Sequence, residues 1–263
     1  MTKIYTLVNQ KGGVGKTTTA INLGAYLGQF EQRVLLIDLD PQANATSSLG
    51  IDKYTVKKGT YEVLIGSEPI NPHILHNPKL KISLLPSSPS LAGAEVELID
   101  LPSREFRLRD AIQPIVDRFD YILIDCPPSL SLLTVNGLMA ARDGVMIPVQ
   151  CEYLALEGIG QLTQTLNRIR TSLFPEMKIR AVILTMFDGR TNLSIDVVEE
   201  VKKFFPNEVM NSVVPRSIRL AEAPSYGLPI ANYAPEALAA KAYASLAREV
   251  LTQDGVKLNQ IVE

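Results

Sequence analysis

The chain of 263 residues has no tryptophan, two cysteines and two histidines, and its charges sum to only −2, with a pI of about 5.8. Cys126 and Cys151 lie far apart and outside any CxxC spacing, so both read as buried thiols in a reducing, cytoplasmic compartment rather than as ligands. His73 and His76 fall in a connection rich in proline and asparagine, with no partner in view, and read as solvated loop residues. A slightly acidic whole gives no bulk attraction to nucleic acid, so any such contact needs a local basic patch. No apolar run approaches the ~20 residues that span a bilayer, and no signal-peptide pattern precedes the first functional motif. Internal repeats and low-complexity tracts are missing as well. The 46% of hydrophobic residues is enough for a full core, in one large α/β domain or two small ones.

The informative stretch is Asn9-Gln10-Lys11-Gly12-Gly13-Val14-Gly15-Lys16-Thr17-Thr18. An apolar run, residues 4–8, precedes it, and apolar positions at helical spacing follow: Ala20, Ile21, Leu23 and Leu27. Strand, glycine-rich turn and helix form the context of a phosphate-binding loop. The glycines let successive N–H groups of residues 12–17 turn inward toward phosphate oxygens, and the helix adds its positive end to the same point. Lys16 supplies a point charge for the outer phosphates, and Thr17 a hydroxyl for magnesium. A glycine-rich turn made for loop geometry alone has no need of Gly-Lys-Thr at its end.

Two acidic strand ends accompany the loop. Residues 33–38 read as a strand buried on both faces that ends in Asp38, and Asp40 follows ahead of Pro41. In open parallel sheets ligands sit beyond the carboxyl ends of strands, so both acids fall near the loop. Asp38 is placed to reach a magnesium shell, and Asp40 to accept a hydrogen bond from an attacking water; the plainer role for Asp before Pro is a turn acid. Residues 119–125 repeat the pattern, an apolar strand ending in Asp125, which fits an acid that holds magnesium through a water. Pro127 and Pro128 then stiffen a loop suited to sensing the γ-phosphate.

The rest alternates. Strands are expected at 79–85, 143–149, 179–186 and 209–214, and helices at 91–101, 104–119, 130–141, 156–173, 192–205 and 237–251. Short helices and surface loops are expected between 51 and 80. Alternation of this kind predicts an α/β fold, a doubly wound, mostly parallel sheet with helices on both faces. With no linker long enough to divide it, residues 1–263 form one expected domain, ending in a flexible tail at 252–263.

The loop's first glycine is replaced by Gln10, and a second lysine, Lys11, opens it. This Lys-Gly-Gly-Val-Gly-Lys-Thr form resembles the deviant phosphate loop of the ParA/MinD branch of P-loop ATPases. Asp-x-Asp-Pro-Gln-x-Asn-Ala-Thr at 38–46, Pro-Val-Gln-Cys-Glu-Tyr at 148–153, and Val-Pro-Arg-Ser-Ile-Arg-Leu-Ala-Glu-Ala-Pro at 214–224 are similar to the chromosomal ParA (Soj) subgroup. The resemblance runs from Lys3 to about Leu251. It implies an ATPase using ATP and Mg2+, and a nucleotide-sandwich homodimer in which Lys11 reaches the partner's nucleotide. It further implies non-specific binding of double-stranded DNA by the ATP form, hydrolysis stimulated by a ParB-type centromere-binding protein, and a nucleoid-associated place in the cytoplasm. Carried over residue by residue, Arg190 and Arg219 match positions that contact DNA phosphates, while Pro215 and Ser217 match the loop that holds adenine. Surface ion pairs are the plainer reading of the two arginines.

Three other readings stand beside this one. A membrane-positioning ATPase of the MinD kind needs a basic amphipathic C-terminal helix, and residues 252–263 carry one lysine, two acids and no aromatic residue. An iron–sulfur carrier needs converging thiolates. A metabolic ligase needs an additional substrate pocket, for which the sequence gives no positive sign.

Overall fold

The computed structural model describes residues 1–153 and 155–257, the side chains of 155–157 excepted. Its strands are β1 (Lys3–Leu7), β2 (Val34–Asp38), β3 (Leu75–Asn77), β4 (Ile82–Leu85), β5 (Tyr121–Asp125), β6 (Gly144–Gln150) and β7 (Ile179–Thr185). They form one sheet in the order β3-β4-β2-β5-β1-β6-β7, parallel except where β3 runs against β4. The longer helices are α1 (Lys16–Gln29), α2 (Leu132–Ala140), α3 (Ala155–Ser172), α4 (Asn192–Phe204) and α5 (Leu238–Gln253). The expected doubly wound, mostly parallel architecture is the one observed.

Side-chain alternation with period two sends each buried strand's residues into two cores. Leu35 and Ile37 of β2, with Ile122 and Ile124 of β5, pack on one face with residues of α2, α3 and α4. Val34 and Leu36, with Tyr121 and Leu123, pack on the other with α1 and α5 through Leu23, Leu27, Leu246 and Val250. Carried one step further, the same alternation puts Asp38 and Asp125 on the α1 face, at the carboxyl ends of their strands. Asp38 is in register with Asp125, and Asp125 with Leu7, where the chain leaves the sheet for the phosphate loop.

Several local expectations are corrected. Residues 209–214 do not form a strand. Met210 and Val214 donate to the carbonyls of Val182 and Leu184, but the intervening N–H groups of Asn211 and Ser212 donate to the Glu249 carboxylate on α5. The ladder is therefore broken, leaving isolated bridges at Val209 and Pro215. His73 is buried, with Nε2 3.1 Å from Glu68 Oε2, instead of solvated; His76 is exposed on β3, its Nδ1 2.8 Å from Ser83 Oγ. The 51–80 connection, expected on the surface, supplies Val63, Leu64, Ile70 and Ile74 to the core, and β3 itself was not expected. The helix expected at 104–119 is an α-helix over Arg107–Ile112 followed by a tighter turn over Gln113–Arg118. Both cysteines are buried and free, as expected.

The tail expected from 252 begins inside α5, and residues 258–263 lie outside the described residues. Just after the helix, Asp254 is locked under the sheet. Its carboxylate accepts from the Tyr5 hydroxyl at 2.7 Å, the Tyr121 hydroxyl at 3.0 Å and the Arg180 guanidinium at 2.9 Å. The Asp254 side chain is only 3% exposed, so removing it strands a half-buried arginine and two buried phenols. Asp254→Ala should cost about 3 kcal/mol, the scale for breaking a buried ion pair. Denaturant unfolding checks this; an unchanged midpoint would mean that the clamp is ornamental.

Candidate functional site

The phosphate loop departs from β1 at the centre of the sheet and leads into α1. Gly13 and Gly15 take φ of +75° and +90°, which side-chain-bearing residues adopt only with strain. A Cβ on Gly12 or Gly13 would meet no protein atom within 4 Å, so the inner wall of the turn is bare backbone above the helix start. No acid lies in the first turn of α1 to compete for an anion. Thr185 at the end of β7 fixes the turn from below, its hydroxyl donating to the Val14 carbonyl at 2.8 Å.

Lys16 is buried, and its ammonium donates to the Lys11 carbonyl at 3.2 Å. Burial lowers its pKa, while the charges of Asp125 and Asp40 work the other way, which places the cation beside both acids. Lys11 is half-exposed and pairs with no carboxylate among the described residues. Thr17 and Thr18 are half-buried on the first turn of α1.

The acids are more constrained than their sequence suggests. Asp38 is fully buried, and its Oδ2 accepts from both the N–H and the hydroxyl of Thr46, at 2.8 and 2.7 Å. Burial nonetheless pushes its pKa up to about 6, against the lowering effect of those bonds. Asp125 is fully buried too, and neither of its oxygens has a hydrogen-bond partner among the described residues. Burial first, and the neighbouring Asp38 second, hold its pKa well above the usual carboxylate range; the Thr17 hydroxyl is near enough to temper that rise without closing a bond of standard geometry. A buried carboxylate with two unsatisfied oxygens beside Thr17 and Lys16 fits a cation held by one or two acids, a hydroxyl and phosphate oxygens. Asp40 is 6% exposed. Its Oδ1 accepts from Gln42 N–H at 2.9 Å, the turn role, and Oδ2 takes no hydrogen bond among the described residues.

A cavity of about 220 Å³ opens next to the loop, lined by Gly15, Thr18, Met186, Pro215, Ser217 and Leu220 among others. Its apolar walls and its adjacency to the turn suit a flat base. The base loop is pinned by the Arg216 N–H donating to Phe187 at 2.9 Å. The Ser217 hydroxyl makes no capping bond to the short helix Ile218–Glu222. Arg216 itself turns aside to Glu152, at 2.5 Å.

The fold therefore brings Gly12, Gly13, Val14, Gly15, Lys16, Thr17, Thr18, Asp38, Asp40, Asp125, Pro215 and Ser217 to one end of the sheet. Arg190 and Arg219 line neither the loop nor the base cavity, and each is held by its own acid. Arg190 forks onto Asp188 at 2.8 and 2.7 Å, and Arg219 meets Glu222 at 2.9 Å. Residues that the sequence reading passed over are the braces: Asn9, Thr46 and Thr185, and Ser87, whose N–H donates to Thr46 Oγ1 and whose hydroxyl donates to the Asp40 carbonyl. Small polar residues of this kind carry no periodic or charge signal. Cys126 and Cys151 are both buried, which raises the pKa of each thiol, to about 11 for Cys151, so neither is a ready thiolate.

Residues 2–179 match the AAA domain family. The Soj sporulation initiation inhibitor protein of Bacillus subtilis is 50% identical over 95% of this chain and 98% of its own. The chromosome partitioning protein ParA of Myxococcus xanthus is 49% identical over 97% of this chain and 90% of its own. Among solved structures, cobyrinic acid a,c-diamide synthase from Mycobacterium smegmatis with bound ADP and magnesium superimposes with a TM-score of 0.85, at 36% identity, covering 97% of this chain and 96% of that one.

Proposed function

Because this chain belongs to the ParA/Soj family of P-loop ATPases, we propose that it partitions chromosomes or plasmids by cycling between a free form and an ATP-bound sandwich dimer that holds duplex DNA without sequence preference. It is an ATPase that uses ATP and Mg2+. The 49 and 50% identity to ParA and Soj carries the partitioning role, and Asp125, a buried carboxylate with unsatisfied oxygens beside Lys16 and the loop's bare backbone, carries the nucleotide chemistry.

In this scheme residues 12–17 cradle the β- and γ-phosphates, Lys16 neutralises them, and Pro215 and Ser217 hold the adenine. Thr17, Asp38 and Asp125 would hold magnesium, which neutralises charge developing on the bridging and γ-oxygens. The free Oδ2 of Asp40 orients a water whose oxygen attacks the γ-phosphorus as the bond to ADP breaks. Lys11 reaches the partner's nucleotide and stabilises the charge moving onto the leaving oxygen. A ParB-type centromere-binding protein stimulates that step, and hydrolysis releases the DNA. The nucleoid is then the ATP form's location.

Arg190 and Arg219 contact DNA phosphates in this reading. Both arginines face solvent while Asp188 and Glu222 are partly buried; solvent-facing pairs of this kind are worth ~0–1 kcal/mol, so a phosphate competes for the two guanidinium groups. Dimerisation doubles the patch and lets weak contacts add. Mobility of plain duplex DNA should be retarded with ATP and unaffected with ADP or no nucleotide. Arg190→Ala with Arg219→Ala should abolish retardation while leaving ATP binding whole. DNA affinity retained by that double variant at equal salt rules out this patch.

Two readings fall behind. The chain is nearer to the partitioning proteins than to the synthase, at 49 and 50% identity against 36%. Surface attachment of the MinD kind needs a basic amphipathic segment, and residues 252–263 carry a single lysine, two acids and no aromatic residue. ATP-dependent sedimentation with liposomes would instead favour surface attachment of the MinD kind.

A further inference from the structure

Asn9, named above only as a brace, is a buried polar residue between β1 and the loop, 5% exposed. Its carboxamide spans two elements. Nδ2 donates to the Pro148 carbonyl on β6 at 2.8 Å, and Oδ1 accepts from the Lys11 N–H at 3.0 Å.

The register explains the first bond. β1 and β6 pair in parallel, Leu7 opposite Met146, and the Val8 N–H donates to the Met146 carbonyl at 3.0 Å. In such a ladder the next donor is the backbone two residues on, at Gln10, and its acceptor is Pro148. The chain has already turned away there, so the Asn9 side chain supplies the missing donor. The carbonyl of Pro148 stays satisfied, and the strand can end early. The second bond is a local turn from side chain to backbone two residues later, and it sets the direction in which Lys11 leaves the sheet. Gln10 adds an outer tie, its Nε2 reaching Thr165 Oγ1 on α3 at 3.2 Å.

We propose that Asn9 is a positioning residue for Lys11: by replacing a backbone donor of the sheet and accepting the Lys11 N–H, it fixes the angle at which that lysine is presented to a partner subunit's nucleotide. This rests on the reading of Lys11 given above. Only asparagine's geometry serves both ends. Alanine offers neither group, and aspartate, isosteric, lacks the donor for Pro148. The phosphate cradle itself depends on Gly12 to Thr17, Thr185 and α1, none of which bonds to the Asn9 side chain. Asn9→Ala should therefore keep ADP affinity near wild type while ATP turnover falls by roughly 100-fold, the scale for misplacing a reacting group by about 1 Å.

The test is a double-mutant cycle on ATP turnover with Asn9→Ala and Lys11→Ala, alongside ADP affinity for each protein. A positioning role predicts that Asn9→Ala costs little more once Lys11 is gone. Additive losses, or a collapse of ADP affinity in Asn9→Ala, would show that Asn9 merely holds the loop, and would overturn the proposal alone. Wild-type turnover by Lys11→Ala would instead overturn the reading of Lys11, and the proposal with it. Should Asn9→Ala fail to fold, Asn9→Leu, of similar size and shape and with neither donor nor acceptor, carries the same comparison without opening a cavity.

Discussion

Asp40→Ala should bind ATP as the parent does and turn it over at least ~100-fold more slowly, the lower end of what a positioned acid–base group contributes. The geometry separates the two effects. In the proposed scheme ATP is held by the loop, by Lys16 and by the base cavity, and none of these uses the Asp40 side chain for a bond. The fold loses one hydrogen bond, from Gln42 N–H to Oδ1, worth about 1 kcal/mol. The Asp40 carbonyl, which takes the Ser87 hydroxyl and the Ala43 N–H, survives the substitution. Removing this carboxylate also relieves repulsion felt by Asp38 and Asp125, so metal and triphosphate meet no new barrier. What disappears is Oδ2, the oxygen free to orient a water. The variant should accumulate as an ATP-loaded dimer on size exclusion with ATP and magnesium, and should retain DNA there. Phosphate release at the parental rate would remove Asp40 from the chemistry and leave it the turn acid that its bond to Gln42 already makes it.

How much of this was legible in the sequence depended on whether the signal was local. The loop, the two strand-terminal acids and the helix after the loop are written in contiguous residues, and the fold places them as that pattern requires. The insertion of β5 between β1 and β2 is different. It sets Asp125 between the loop and Asp38, and nothing in residues 119–125 announces it, because neighbours in a parallel sheet are chosen by crossover connections. The braces were missed for a related reason: Asn9, Ser87 and Thr185 act through partners 41 or more residues away, and Thr46 joins Ser87 to an acid eight residues before it. Residues 209–214 read as a strand from composition, yet Glu249 captures two of their N–H groups from a helix that the local pattern cannot see. His73 was misread because its burial depends on Ile70 and Ile74 beside it joining the core, although the prolines around them suggested a surface loop.

The same site should also trade stability for function. Asp125→Asn should lower ATP turnover by ~100-fold or more, because a buried charge partner for the metal is lost, and should raise the melting temperature of the nucleotide-free, magnesium-free protein. The two effects have one cause. Among the described residues, ionised Asp125 is buried with no hydrogen-bond partner, next to Asp38 and Asp40, and only Lys16 offers it an opposite charge. Its pKa is raised in the fold, so at neutral pH the folded state bears a cost that the unfolded chain does not. A neutral amide of the same shape removes the charge, though its own unbonded polar atoms keep part of the cost; a net gain of about 1–2 kcal/mol is a few degrees for a chain of this length. The pH dependence has a definite sign. A carboxylate with a raised folded pKa adds stability as protons are taken up, so the contribution of these two acids to the stability of the bare protein should grow as pH falls from above 6 toward the ordinary value of 3.8, with Asp38 titrating near 6. In Asp125→Asn that rise should shrink, since one of the two coupled acids no longer titrates and the other loses its repulsive neighbour. Magnesium and ATP should reverse the ranking by stabilising the parent more than the variant. Equal melting temperatures and equal pH slopes for the two bare proteins would mean that water or a local rearrangement already satisfies Asp125, and that its unpaired carboxylate is not what prepares the site for a cation.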